Sequence, residues 1–245
     1  MMELWHCADA RSFRPLWMLE EMGLPYRLHL LPFPPRWAQP DYLQVNPLGT
    51  IPYFTDGAQV LTESTGILLY LAERHGPTAL QLTPDEPDYG LFLNYLFQSD
   101  ATFTFPQTLV LRYRVLEPPD RRQPAVADAY AKWFLARMQW VEGHLADGRD
   151  WLTGGRFTAA DIAVGYACLL AAALGLAEGL GPLTQAWWER CTARDGYRRA
   201  RAAQTAGATL EVSEAAGPGP PAREHMVLAG QVRGPPSAAA VCRAG

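Results

Sequence analysis

Glu63-Ser64-Thr65 stands where an apolar-periodic run begins, and the start of a helix offers an anion free backbone N–H groups and the positive end of the helix dipole. The pair therefore reads as a seat for an anion. It reads equally well as helix capping by the Ser64 hydroxyl, since a cap exchanges one oxygen partner for another. Cys7, Cys168, Cys191 and Cys242 are scattered, with no CxxC pair and no metal-ligand spacing. No metal is expected, and a reduced protein with free thiols is the economical reading. Cys7 falls inside an apolar run and reads as core. Thr158-Ala159-Ala160-Asp161 has the spacing of a capping box, with Asp in place of the usual Glu.

The elements that must position these residues follow from periodicity and punctuation. Residues 4–7 form a short apolar-leaning run and residues 8–12 interrupt it. A helix is predicted over 14–22, where Leu16, Leu19 and Met22 share a face and Gly23 is the stop. Residues 26–30 alternate like a strand. That makes a βαβ unit with parallel strands and a right-handed crossover. The Pro-rich stretch 32–40 is expected to hold neither regular helix nor central strand. Two runs, 51–54 and 58–61, flank Asp56-Gly57 and predict a hairpin. A helix then opens at Glu63-Ser64 and closes near Gly76. Three prolines in 77–87 mark a linker. Beyond it no strand pattern appears, and helices are predicted over 89–115, 125–146, 158–177 and, shorter, 183–191. From about residue 203 the chain is rich in Pro, Gly and Ala, too poor in apolar surface to offset ordering entropy, and is expected to be disordered.

Composition narrows the class of function. Of the 245 residues, 49% are hydrophobic, ample for a packed core. A net charge of −4 argues against a nucleic-acid partner. The uncharged stretch 162–177 falls short of the ~20 residues that span a bilayer, and no leader pattern opens the chain. A cytoplasmic protein without a membrane partner is expected.

Three segments in this order resemble the glutathione transferase family: Asn46-Pro47-Leu48-Gly49-Thr50-Ile51-Pro52, then Leu61-Thr62-Glu63-Ser64-Thr65-Gly66-Ile67, then Phe157-Thr158-Ala159-Ala160-Asp161-Ile162. The likeness runs from about residue 4 to residue 201. It implies an α/β plus all-α architecture: a thioredoxin-like domain (βαβ-ββα) over 1–78, a linker over 79–87, an all-helical bundle domain over 88–202, and a tail over 203–245 outside the likeness. It implies a cis Ile51–Pro52 bond and an exposed sheet edge at which an extended peptide can pair. Thr50, Ile51 and Pro52 would hold the cysteinyl unit of glutathione, Ser64 its γ-glutamyl carboxylate and Glu63 its ammonium. Glutathione is then a co-substrate, and the partner is a small hydrophobic electrophile attacked by the thiolate. Detoxification and a homodimer are what the family implies.

A thiol of pKa ~8.5 is only a few per cent ionised at neutral pH, so this chemistry needs a donor in the loop after the first strand. Serine-type members would place a hydroxyl near Ala10, and cysteine-type members a thiol near Arg11. Ser12 is the hydroxyl at hand and is the expected donor, with Arg11 as a cation favouring the thiolate; Ser12 reads equally as a helix cap. Tyr95, Gln98, Ser99, Phe103 and Arg112 are the expected walls of the acceptor pocket. Two other readings stay open. One is a glutathione-dependent peroxidase or isomerase on the same fold. The other, to which Ala10 lends weight, is a non-catalytic, transferase-like binding or regulatory module.

Overall fold

The structure, a computed structural model, describes residues 1–205. Its first part is a four-stranded sheet in the order β2-β1-β3-β4, from β1 (Met2–His6), β2 (Tyr26–Leu30), β3 (Tyr53–Asp56) and β4 (Gln59–Leu61). β1 runs parallel to β2 and antiparallel to β3, and Leu4 lies between Leu28 and Phe54. β3 and β4 form the expected hairpin, with Gly57 at φ 60° in its turn. Helix α1 (Phe13–Met22) makes the crossover from β1 to β2, burying Phe13, Leu16, Trp17 and Leu19. Two short turns, α2 (Pro35–Ala38) and a 3₁₀ segment (Pro40–Gln44), occupy the Pro-rich stretch. This corrects the expectation of no helix there: each begins with proline, whose missing N–H has no partner to lose in a first turn. α3 (Ser64–Arg74) follows, burying Ile67, Leu68 and Leu71.

The helical part begins with α4 (Tyr89–Gln98). The single helix predicted over 89–115 is broken: Ser99–Thr104 and Arg112–Leu116 are π-helical, with α5 (Phe105–Leu111) between them. Pro106 has no N–H to give the ladder, the Ser99 carbonyl accepts from Arg14 Nη2 at 3.0 Å and Thr104 Oγ1 at 2.7 Å, and the Thr102 carbonyl accepts from Arg137 Nη1 at 3.3 Å. Side chains have taken over carbonyls that a regular ladder would use. α6 (Pro124–Leu145), α7 (Ala159–Ala173), α8 (Pro182–Thr192) and α9 (Asp195–Thr205) complete the bundle.

α7 is buried on every side from Ala159 to Ala171 and is the axis of the molecule, packing on α4, α1 and α8. Gly165 is required where it stands. A β-carbon there would come within 2.9 Å of the Trp188 ring and 3.1 Å of the Trp17 ring. Residues 203–205, assigned to the tail from sequence, are the last turn of α9. The rest of that expectation, residues 206–245, lies outside the described residues. Among the described residues, no helix is long and apolar enough to cross a membrane.

Candidate functional site

The Asn46-Pro47-Leu48-Gly49 segment is a turn built to hold the residue after it. Asn46 accepts the Leu48 N–H at 3.1 Å through its side-chain oxygen and donates through Nδ2 to the Thr50 carbonyl at 2.8 Å. The Tyr42 hydroxyl donates to the same carbonyl at 2.7 Å. Thr50 is thus pinned, and Ile51–Pro52, which is cis, follows at the mouth of β3. Trp5 is the last residue of β1 paired with β3, opposite Tyr53. Ile51 and Pro52 lead into this pair from the β3 side, and beyond His6 on the other side β1 gives way to the loop 7–12.

Ser64 is the first residue of α3, with an exposed Glu63 in extended backbone before it at φ −90° and ψ 116°. The Ser64 side chain is not a cap. Its oxygen accepts from Arg14 Nη1 at 3.0 Å. A guanidinium has donors only, so the serine's own proton is left to point elsewhere. Arg14 is fully buried, and it also donates to the Ala163 carbonyl at 2.9 Å, to Asp100 at 3.1 Å and to Thr104 Oγ1 at 2.8 Å, with the Tyr166 ring 4.5 Å away. Arg11 meets the same carboxylate through Nε at 2.6 Å and Thr108 through Nη2 at 2.9 Å. Burial opposes all three charges. For Asp100 the two guanidiniums outweigh it and hold the carboxyl below its ordinary value, and Asp100 in turn raises Arg11. For Arg14 burial wins and its pKa is lowered. Asp100 stays ionised and welds the loop to the helical part.

The expected hydroxyl donor is not offered to this groove. Ser12 is fully buried and faces His6 Nδ1 at 2.7 Å. Burial lowers His6 to about 4, so the ring is neutral. Its Nε2–H goes to Gln204 Oε1 at 3.1 Å, which leaves Nδ1 as the acceptor and commits the Ser12 proton to it. Ser12 makes no side-chain cap bond to α1 either. Cys7 is core, with its thiol pushed up to about 12 by burial.

The acceptor-wall residues divide. Tyr95, Ser99 and Phe103 have no exposed surface, and this corrects their assignment to a pocket. Helical phase is the reason: with Phe92 and Leu96 they lie on the face turned to the core, where Tyr95 bonds His144 at 2.8 Å and Ser99 bonds the Leu96 carbonyl at 2.8 Å. Gln98 is half-buried, and Arg112 is exposed and paired with Glu117 at 2.8 Å. The residues that do face the loop are Asp100 and Thr108, which sequence reasoning missed together with Arg14. One signal was available for Arg14: a charge lodged among Phe13, Pro15, Leu16 and Trp17.

Both parts of the chain are similar to known proteins. The family described as "Glutathione S-transferase, N-terminal domain" matches residues 10–74, and "Glutathione S-transferase, C-terminal domain" matches residues 123–203. Glutathione S-transferase 3 of Zea mays is 29% identical over 171 residues, which are 67% of this chain and 76% of the relative. Glutathione S-transferase 3 of Schizosaccharomyces pombe is 28% identical over 178 residues, covering 66% and 70%. A crystal structure of a glutathione transferase from Methylococcus capsulatus superposes with a TM-score of 0.73 at 25% identity, covering 84% of this chain and all of that one.

Proposed function

From the premise that this chain belongs to the glutathione S-transferase family, we propose that it binds glutathione along Thr50, Ile51 and Pro52 and directs its thiolate at a small hydrophobic electrophile. The observation that carries this is Ser64, whose hydroxyl is turned by Arg14 so that its proton is free for an anion at the start of α3. The γ-glutamyl carboxylate fits that position and Glu63 takes the ammonium. Lowering a thiol by two units needs ~2.7 kcal/mol of preferential stabilisation. With Ser12 turned inward, the cation Arg11, held by Asp100 and Thr108, is the group in this loop suited to favour the thiolate. The sulfur then forms a bond to the electrophilic carbon, and the displaced pair leaves with the leaving group or stays on the acceptor. Of the expected acceptor walls, Gln98 and Arg112 remain in the proposal; Arg112 stands one turn beyond Thr108, on the open side of the helix.

The same reading places the protein in a reducing cytoplasm, in a detoxifying role, as a homodimer. Cys7, Cys168 and Cys191 are free thiols, which supports the first. Trp133 and Trp140 lie seven residues apart on α6 and are both exposed, which supports a second copy covering that face.

Retention on immobilised glutathione and conjugation of chlorodinitrobenzene test the proposal together. Both are expected. Ser64→Ala is expected to weaken glutathione binding by more than ~1 kcal/mol, at least fivefold in Kd by calorimetry. Failure to bind glutathione would leave a non-catalytic module. Binding without conjugation would favour the peroxidase or isomerase.

A further inference from the structure

The loop 7–12 contains one carboxylate, Asp9, and a fixed negative charge there opposes the formation of another beside Ile51. Asp9 is nonetheless held firmly. Its backbone sits at φ 53°, a left-handed conformation that non-glycine residues seldom adopt. Its N–H, its carbonyl and one carboxylate oxygen are taken by the helical part. Its N–H donates to Gln204 Oε1 at 3.2 Å, its carbonyl accepts from the Tyr166 hydroxyl at 3.2 Å, and its carboxylate accepts from Gln204 Nε2 at 2.6 Å and from Arg201. Gln204 also carries the contact to His6, and through it to Ser12, so one amide organises both the outer and the inner side of the loop. Two further charge pairs, Arg194, just before α9, with Glu21 at 2.8 Å and Arg199 on α9 with Glu20 at 3.0 Å, hold this end of the chain along α1.

We propose that α9 takes part in activating the thiol: Arg201 and Gln204 immobilise and neutralise Asp9, so that its charge does not oppose the thiolate of glutathione bound beside the loop. Both are positioning residues, acting through Asp9, and the inference rests on the glutathione-binding reading above. Other groups face Asp9 but cannot replace Arg201. His6, from β1, is neutral. The phenols of Tyr166 on α7 and Tyr197 on α9 are both raised by burial and carry no charge at neutral pH. Arg11, in the same loop, is turned to Asp100 and Thr108 and not to Asp9. Without Arg201, Asp9 stands uncompensated, and its charge acts against the thiolate.

The test is titration of the ultraviolet thiolate absorbance of the full chain with glutathione bound, beside the pH profile of kcat/KM for chlorodinitrobenzene. Arg201→Met is expected to raise the thiol pKa by about half a unit to one unit, lowering kcat/KM about three- to tenfold on the acid side, with the curves converging at high pH. Arg201→Lys is expected to restore the profile, and so is Asp9→Asn combined with Arg201→Met. The Kd for glutathione stays within about twofold throughout. Superimposable profiles for Arg201→Met and the parent overturn the inference, as does a loss equal at all pH values that Asp9→Asn does not repair. If Arg201→Met fails to fold, Asp9→Asn alone decides: it must lower the thiol pKa, and a pKa unchanged or raised overturns the inference. A parent chain that does not bind glutathione brings down the underlying reading as well. A parent that binds, with variants that do not shift, brings down this inference alone.

Discussion

The buried partners of Ser12, His6, Arg14 and Asp100 explain why these hydroxyls and charges are not where a local pattern would put them. Ser12 sits at the start of α1 yet neither caps it nor faces the groove, because a neutral His6 beside it needs a donor. The neutrality has a measurable cost. Burial takes His6 from 6.5 to about 4, so the unfolded chain gains a proton, as pH falls, before the folded chain does. The stability this ring contributes is complete above about pH 6.5 and is lost on acidification towards about pH 4, a loss of order 3 kcal/mol in total. His6→Gln, which cannot titrate, is expected to show a shallower fall of the urea midpoint across that window. Equal slopes in the two proteins would mean that His6 does not govern it.

At the scale of elements, α7 shows how much a single helix start can matter. Thr158 and Asp161 form the predicted capping box: Thr158 Oγ1 accepts the Ala160 N–H at 3.3 Å and Asp161 Oδ2 accepts the Thr158 N–H at 2.8 Å. Asp161 does more than close the box. It also accepts from the Leu152 N–H at 3.0 Å and from Trp187 Nε1 at 2.9 Å, tying the start of α7 to the preceding loop and to α8. Burial pushes its carboxyl up to about 6, against these donors, which favour the anion. Thr158→Ala removes the hydroxyl's contacts with the Ala160 N–H, Asp161 Oδ2 and Thr153 Oγ1 and is expected to cost about 1–2 kcal/mol in chemical denaturation. A loss under about 0.5 kcal/mol would show that the cap is redundant with the packing of α7.

The two parts of the molecule meet over a buried charge and not over apolar surface alone. Arg14 leaves α1 and finds Ser64 on α3, Asp100, Ser99 and Thr104 at the π-helical break, and Ala163 on α7. Removing one partner from such a set leaves the others buried and unpaired. Arg14→Met is therefore expected to cost about 3–5 kcal/mol and to weaken glutathione binding through Ser64. Urea unfolding with a loss under about 1 kcal/mol would contradict it. What could be read from sequence and what could not divide along the same line. The hairpin at Asp56-Gly57, the stop at Gly23, the capping box and the βαβ-ββα order were legible, because turns and caps are decided within four or five residues by backbone sterics and short-range hydrogen bonds. Only the tertiary structure could turn Ser12 inward, put Tyr95, Ser99 and Phe103 in the core, break the helix at Ser99, and bring Asp100 to Arg11 and Arg201 to Asp9. Those partners lie 89 and 192 residues apart. Nothing within one helical turn distinguishes them, and they are selected by how whole elements pack, since a buried charge settles wherever packing has placed its counter-charge.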